Sequence, residues 1–108
     1  MDFRALAERA RQGMKRNTVI TGKDLFTRYQ RSGRLGLVWI TADLGHNITC
    51  KLRVECAEFK IPLIVGGESD MVNEVIGRDC TKVFLFKKAH PGLPAIVREY
   101  AAALDPGD

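Results

Sequence analysis

Three glycine-containing turns stand ahead of helix-forming stretches: Thr21-Gly22-Lys23, Gly66-Gly67-Glu68-Ser69 and His90-Pro91-Gly92. Each could bring several backbone amides together around a phosphate at a helix N-terminus. None is a Walker loop or a GxGxxG fingerprint. The first differs from the others in the charge carried just behind it. Lys23, Arg28 and Arg31 lie on the segment after Gly22 and would reinforce the positive end of a helix toward an anion. Glu68 and Asp70 would oppose an anion at the second turn. The chemistry on offer at the first turn is therefore phosphate contact, with Gly22 allowing close backbone approach. Ordinary turn geometry is the competing explanation for the glycines of all three turns.

Catalytic constellations are thin. His46 and His90 both fall in predicted loops, with no GxSxG and no other recognisable nucleophile motif beside them. Glu55 and Glu58 share a helix face at i, i+3 and read as solvated acids. Cys50, Cys56 and Cys80 form an odd set without a CxxC pair, and only two histidines could join them. That pattern suits free thiols rather than a metal framework or a disulfide scaffold. No cofactor, no metal and no enzymatic activity are expected. Aromatic platforms for stacking bases are also missing, because Phe84 and Phe86 belong to a core strand. An RNA partner would be gripped by its backbone and groove shape.

Positioning such a site needs a framework, and the chain is long enough for one. Its 108 residues make one domain, 1–108, ending in a tail over 105–108 expected to fray. Hydrophobic residues form 45% and charged residues 28%, ordinary for a globular protein. No apolar run approaches the ~20 residues of a membrane helix, and Met1-Asp2-Phe3-Arg4 opens no signal peptide. A cytoplasmic location is the expectation. Charge is uneven along the chain. Residues 1–36 hold nine Lys/Arg against three Asp/Glu, a balance of +6. Residues 37–108 hold eight against ten, a balance of −2. A basic first third is compatible with a polyanionic partner.

Apolar periodicity then assigns the elements. Phe3, Leu6, Ala7, Ala10 and Met14 predict an amphipathic helix over 2–14, and Thr18-Val19-Ile20 a minor strand. Thr21 reads as the N-cap of a second helix that runs to about Ser32 and stops at Gly33. Leu35 to Ile40 reads as a strand buried on both faces. A third helix over Ile48 to Phe59, capped by Asn47, leads to a strand over Ile61 to Val65 that starts near Pro62. Ser69 caps a short helix ended by Gly77, Val83 to Phe86 is the last strand, and a final helix runs from Leu93 to Leu104. Buried strands alternating with amphipathic helices predict an α/β chain. Its sheet is at least partly parallel, with helices on both faces: a three-layer α/β/α arrangement.

With these landmarks the chain resembles the L-seven-Ae / L-thirty-e ribosomal protein superfamily, the kink-turn RNA binders, and most of all its short bacterial YlxQ-like branch. The resemblance covers residues 5–104. It rests on Thr21-Gly22-Lys23-Asp24-Leu25 leading to Arg31-Ser32-Gly33, and on Leu35-Gly36-Leu37-Val38-Trp39-Ile40-Thr41-Ala42-Asp43. Ile61-Pro62-Leu63-Ile64-Val65, Val75-Ile76-Gly77-Arg78-Asp79 and the segment ending in Gly92-Leu93 complete it. It implies a mixed four-stranded sheet between helices (an L-thirty-e-like fold) and RNA binding without catalysis.

In the family a Gly-x-Asn-Glu sequence opens the second helix and reads sheared G·A pairs. Gly22 matches the glycine, Asp24 stands at the asparagine and Leu25 at the glutamate. The loop before the last strand, apolar in the family, is the shorter and polar Arg78-Asp79-Cys80-Thr81-Lys82 here. The resemblance thus implies RNA affinity carried by Gly22, Lys23, Asp24, Arg28, Arg31 and Arg78. Lys23, Arg28 and Arg31 would sit on phosphates, and Asp24 on a guanine edge. The partners implied are structured, kink-turn-like RNA and the ribosome or other ribonucleoprotein components. A protein-interaction module on the same fold, without base readout, is the alternative.

Overall fold

The computed structural model describes residues 1–22 and 26–105. Five helices and four strands appear among them: α1 (Phe3–Lys15), β1 (Val19–Thr21), α2 (Phe26–Arg31), β2 (Leu35–Ile40), α3 (His46–Glu58), β3 (Leu63–Val65), α4 (Ser69–Ile76), β4 (Val83–Lys87) and α5 (Leu93–Glu99). A 3-10 turn, Ala101–Ala103, comes after α5. The strands form one sheet in the order β1-β4-β2-β3, with β2 and β3 parallel and the other two pairings antiparallel. The expected mixed four-stranded sheet in a three-layer α/β/α sandwich is what the chain builds.

Alternation along the strands sorts side chains into two cores. Leu37, Trp39, Ile64, Phe84 and Phe86 face one side, where Leu6, Ala7 and Ala10 of α1, Val72 and Ile76 of α4, and Ile96 of α5 cover them. Val38, Ile40, Leu63, Val83 and Leu85 face the other, under Phe26 of α2 and Leu52 and Cys56 of α3. A bulge adjusts this pattern. Leu35 opposes Lys87 while Leu37 opposes Phe86, so Gly36 is an extra residue in β2 and Leu35 turns to the α2–α3 side. A Cβ on Gly36 would lie 2.6 Å from Leu93 Cδ1, so α5 can lie this close only against glycine.

Several element ends differ from the sequence reading, each because a distant partner takes over. Asp2 lies outside α1 and caps it, its carboxylate accepting from the Ala5 amide at 3.0 Å. Thr21 is not an N-cap. It pairs with Phe84 as the last residue of β1, and the Gly22 amide extends the ladder to the Val83 carbonyl at 3.1 Å. Thr18 stays outside β1 because its amide closes the end of α1 on the Gly13 carbonyl at 2.8 Å. Gly45, not Asn47, precedes the first turn of α3. Pro62 lies outside β3, although its carbonyl still accepts from the Val38 amide at 3.0 Å.

The final helix stops at Glu99. Beyond the 3-10 turn, Leu104 bridges to Ile64 and the Asp105 amide donates to the Leu63 carbonyl at 2.8 Å. The chain end thus covers the open edge of β3, which would otherwise present unpaired backbone. Asp105 is also held by Arg53 at 2.8 Å, so it does not fray. Residues 106–108 of the expected tail lie outside the described residues.

Candidate functional site

Strand directions gather one set of loops at one end of the sheet. Thr21 of β1, Ile40 of β2, Val65 of β3 and Val83 of β4 lie there by register. Gly22, the Thr41–Gly45 connection, Gly66–Glu68 and the Arg78–Lys82 loop adjoin them directly in the chain. Thr21 and Gly22 share a recess of about 260 Å³ with Leu44, Ile48 and Cys80–Val83. Across Cys80 and Lys82 it adjoins a larger one of about 660 Å³, lined by Asp43, Ser69, Asp70, Asn73, Glu74 and Arg78, among others. Gly22, with φ +105°, has a conformation that L side chains rarely adopt, and among the described residues beyond its chain neighbours no atom stands within 4 Å of where its Cβ would be. Its backbone is open to a close-approaching ligand.

Two polar side chains, the buried Asn73 and the exposed Asp43, build the loops beside Gly22. Asn73 faces inward from α4, and its Nδ2 donates to the carbonyls of Ser69 at 2.7 Å and Thr81 at 2.9 Å. Its Oδ1 accepts from the Thr81 amide at 2.9 Å. Gly77, in the left-handed conformation, ends α4, and the Arg78 amide returns to the Asn73 carbonyl at 3.1 Å. Asn73 therefore sets where Arg78 to Thr81 run. Asp43 does the equivalent for the other side. Its Oδ1 accepts from the Ser69 amide at 3.3 Å and its Oδ2 from the Ser69 hydroxyl at 2.5 Å. Ser69 is thus the first residue of α4 and not its cap: a carboxylate from the β2–α3 connection caps the helix instead. The Ser69 hydroxyl holds the Asp43 carboxyl down to about 2, helped by Lys82, 3.5 Å from Oδ2. The buried Thr41 hydroxyl adds to that shift from a position short of full hydrogen-bond geometry.

The predicted residues do not form one cluster. Gly22 stands against the Cys80–Val83 segment, and Arg78 lines the adjoining recess. Arg28 and Arg31 are exposed and lie i, i+3 on the six-residue α2, which leads away from Gly22. Arg31 is its last residue and closes toward the opposite end of the sheet. Lys23 and Asp24 lie outside the described residues. No ion pair among the described residues engages Arg28, Arg31 or Arg78. The surroundings of Arg78 are nevertheless acidic: Asp43, Asp70, Glu74 and Asp79 line the same recess, against Arg78 and Lys82.

The remaining reactive side chains have structural explanations. His90 is buried, its Nδ1 lies 2.9 Å from the Thr18 hydroxyl, and its ring stands edge-on to Phe86. Burial, then Arg9 and Arg16, push its pKa down. His46 opens α3, with the Cys50 sulfur 3.5 Å from Nε2, and nothing else among the described residues bonds its ring. Burial drives the Cys56 thiol up to about 12, so it is inert core. The Gly66-Gly67 turn is shaped by packing: a Cβ on Gly66 would fall 2.2 Å from Phe3 Cζ, and the Gly66 carbonyl accepts from Trp39 Nε1 at 2.9 Å. No group of three His, Cys, Asp or Glu among the described residues could hold a metal ion. No described helix is long and apolar enough to cross a membrane.

No protein-family model and no curated protein matches this sequence. Solved structures do match its fold. A protein of unknown function from Bacillus halodurans superposes with a TM-score of 0.74 at 23% identity, over 85% of this chain and 95% of that one. A 15.5 kD RNA-binding protein of Giardia lamblia superposes with a TM-score of 0.71 at 20% identity, over 94% of this chain and 88% of that one. At such identities the likeness is one of fold.

Proposed function

We propose that this chain is a non-catalytic RNA-binding protein. It docks structured, kink-turn-like RNA where Gly22 meets the Arg78–Lys82 loop and along the exposed side of α2. The observation that carries this reading is that juxtaposition, made by the Gly22 amide on the Val83 carbonyl. The fold shared with an RNA-binding protein supports it. Gly22 lets a ribose–phosphate strand approach the backbone, Lys23, Arg28 and Arg31 neutralise phosphates, and Asp24 accepts from a guanine edge. Arg78 adds a further cation, weakened by its acidic neighbours. The ribosome or another cytoplasmic ribonucleoprotein is the place of action that goes with this reading.

Titration with a kink-turn RNA and with a plain duplex at two salt concentrations tests it. Binding should be tighter for the kink-turn and should fall steeply with salt, because released counterions drive such association. Absence of binding to either RNA at low salt refutes it. The acids around Arg78 favour a second reading, a protein-interaction module on the same fold, since they repel a polyanion. The double variant Lys23→Glu, Arg28→Glu separates the two. RNA affinity collapses under the first reading, whereas capture of a basic protein partner survives under the second.

A further inference from the structure

Among the described residues, a cluster of cations without an acid lies at the end of the sheet remote from Gly22. Three segments are laced together there by backbone bonds. The Lys87 amide donates to the Thr18 carbonyl at 2.9 Å, and the Lys88 amide to the Arg34 carbonyl at 2.7 Å. The Arg34 amide in turn returns to Tyr29 of α2 at 3.2 Å. These bonds bring together residues 15–18, 31–34 and 87–90, which carry Lys15, Arg16, Arg31, Arg34, Lys87 and Lys88 and no acidic residue. All but Lys87 are exposed, and none is ion-paired among the described residues. Lys87 is steered by the Tyr29 ring, its Nζ 5.1 Å from the centroid. The nearby acids of α1 and α5 are already engaged, Glu8 by Arg11 at 3.3 Å and Glu99 by Arg9 at 3.1 Å. Behind Arg16 opens a recess of about 420 Å³ lined also by Glu8, Arg9, Gln12 and His90, where the Gln12 amide is able to hydrogen-bond a phosphate oxygen.

We infer that this end is a second nucleic-acid contact, which grips the sugar–phosphate backbone of an RNA duplex without reading its bases. The inference rests on the RNA-binding reading above. Six cations without an acid among them suit a polyanion, and the Tyr29 ring beside them carries Lys87 over one face. Arg28 and Arg31 on α2 connect this surface to the Gly22 end, so one RNA can touch both.

The experiment compares the unaltered chain with Arg16→Gln/Arg34→Gln/Lys88→Gln, and with Arg16→Lys/Arg34→Lys as a charge-keeping control, on the same duplex RNA. Fluorescence anisotropy is read between about 50 and 200 mM salt, a range over which phosphate contacts dominate. The glutamine variant should bind at least tenfold more weakly at low salt. Its slope of log K against log salt should be shallower by roughly 2–3, at about 0.7–0.9 for each phosphate no longer neutralised. The lysine control should match the unaltered chain, and circular dichroism should show all three folded. Unchanged affinity and slope in the glutamine variant overturn this inference and leave RNA binding itself standing. No RNA binding by the unaltered chain overturns both readings together. Attachment to phosphatidylserine vesicles with no RNA affinity assigns the surface to a membrane and also overturns it.

Discussion

Replacing Asn73 tests whether one buried amide positions the loop beside Gly22. The residue is 8% exposed, and its side chain makes three hydrogen bonds, two of them to the backbone of Thr81. Asn73→Leu keeps the volume and removes all three. The Ser69 carbonyl retains a helical partner, so that bond matters little. The Thr81 amide and carbonyl are left without one. At about 1 kcal/mol per net bond, plus part of the desolvation cost of two stranded backbone groups, the destabilisation comes to about 3 kcal/mol. For a domain of this size that lowers the melting temperature by roughly 12–20 °C. Urea and thermal unfolding monitored by circular dichroism measure it, and a change under about 1 kcal/mol refutes the reasoning. Asn73→Asp sharpens the test. Its carboxylate still accepts from the Thr81 amide but sets an anionic oxygen against the Ser69 and Thr81 carbonyls, which raises its pKa in the folded state. The folded variant then holds its proton more tightly than the unfolded one. Its deficit relative to Asn73 should therefore narrow as pH falls from about 7 toward 4. A deficit independent of pH would show that the amide nitrogen does not face those carbonyls.

Two further perturbations arise from the same geometry. Asp43, held at about 2 against 3.8, contributes stability that is complete above the unfolded value and lost as pH falls through 3.8 toward 2. With the side chain 48% exposed, screening reduces this to about 1 kcal/mol. Asp43→Asn should lower the urea midpoint at neutral pH and flatten its acid limb, and an unchanged acid limb contradicts the assignment. Gly66→Ala drives a methyl group into Phe3, whose ring centroid lies 6.3 Å from that of Trp39 and 5.6 Å from that of Tyr100. Overpacking there should destabilise by about 1–3 kcal/mol and shift Trp39 emission, because the Trp39–Gly66 bond must move. Unaltered stability with unaltered emission would show that Phe3 gives way freely.

The architecture is legible in the sequence where apolar residues run without interruption. Leu35 to Ile40 and Val83 to Phe86 are too apolar for any surface strand, so helices on both faces must cover them. Helix starts are less legible. Thr21, Asn47 and Ser69 are each the polar residue that local rules take for a cap. Phe84 recruits Thr21 into β1, and Asp43, 26 residues before Ser69, caps α4. Pairings at that separation leave no local mark. Asn73 left one faint sign: it occupies the stripe Ser69, Val72, Asn73, Ile76 that α4 buries, where a polar side chain must find partners. Nothing comparable marks Asp43. Cations behind a glycine turn are visible too, but not where a six-residue helix carries them.

The charge imbalance along the chain takes on a different meaning once the chain is folded. Nine cations in the first third look like a basic face beside Gly22, yet Lys15, Arg16, Arg31 and Arg34 come to rest at the other end of the sheet. Acids from the later residues gather around Arg78 instead. The six-residue β2 separates the two ends by about 20 Å. That exceeds twice the ~8 Å over which charges act at physiological salt. The remote patch consequently keeps most of its pull on a polyanion despite those acids, while Arg78 sits within their reach. On the proposed reading, an RNA held only at the Gly22 end would have to be recognised by backbone approach and shape against the acids around Arg78. Anchorage along α2 and at the remote end removes that difficulty: long-range attraction is supplied away from the contact that discriminates. Charge reversal at the remote end should then weaken all RNAs alike, and changes at Gly22 should alter the ratio between a kink-turn and a plain duplex.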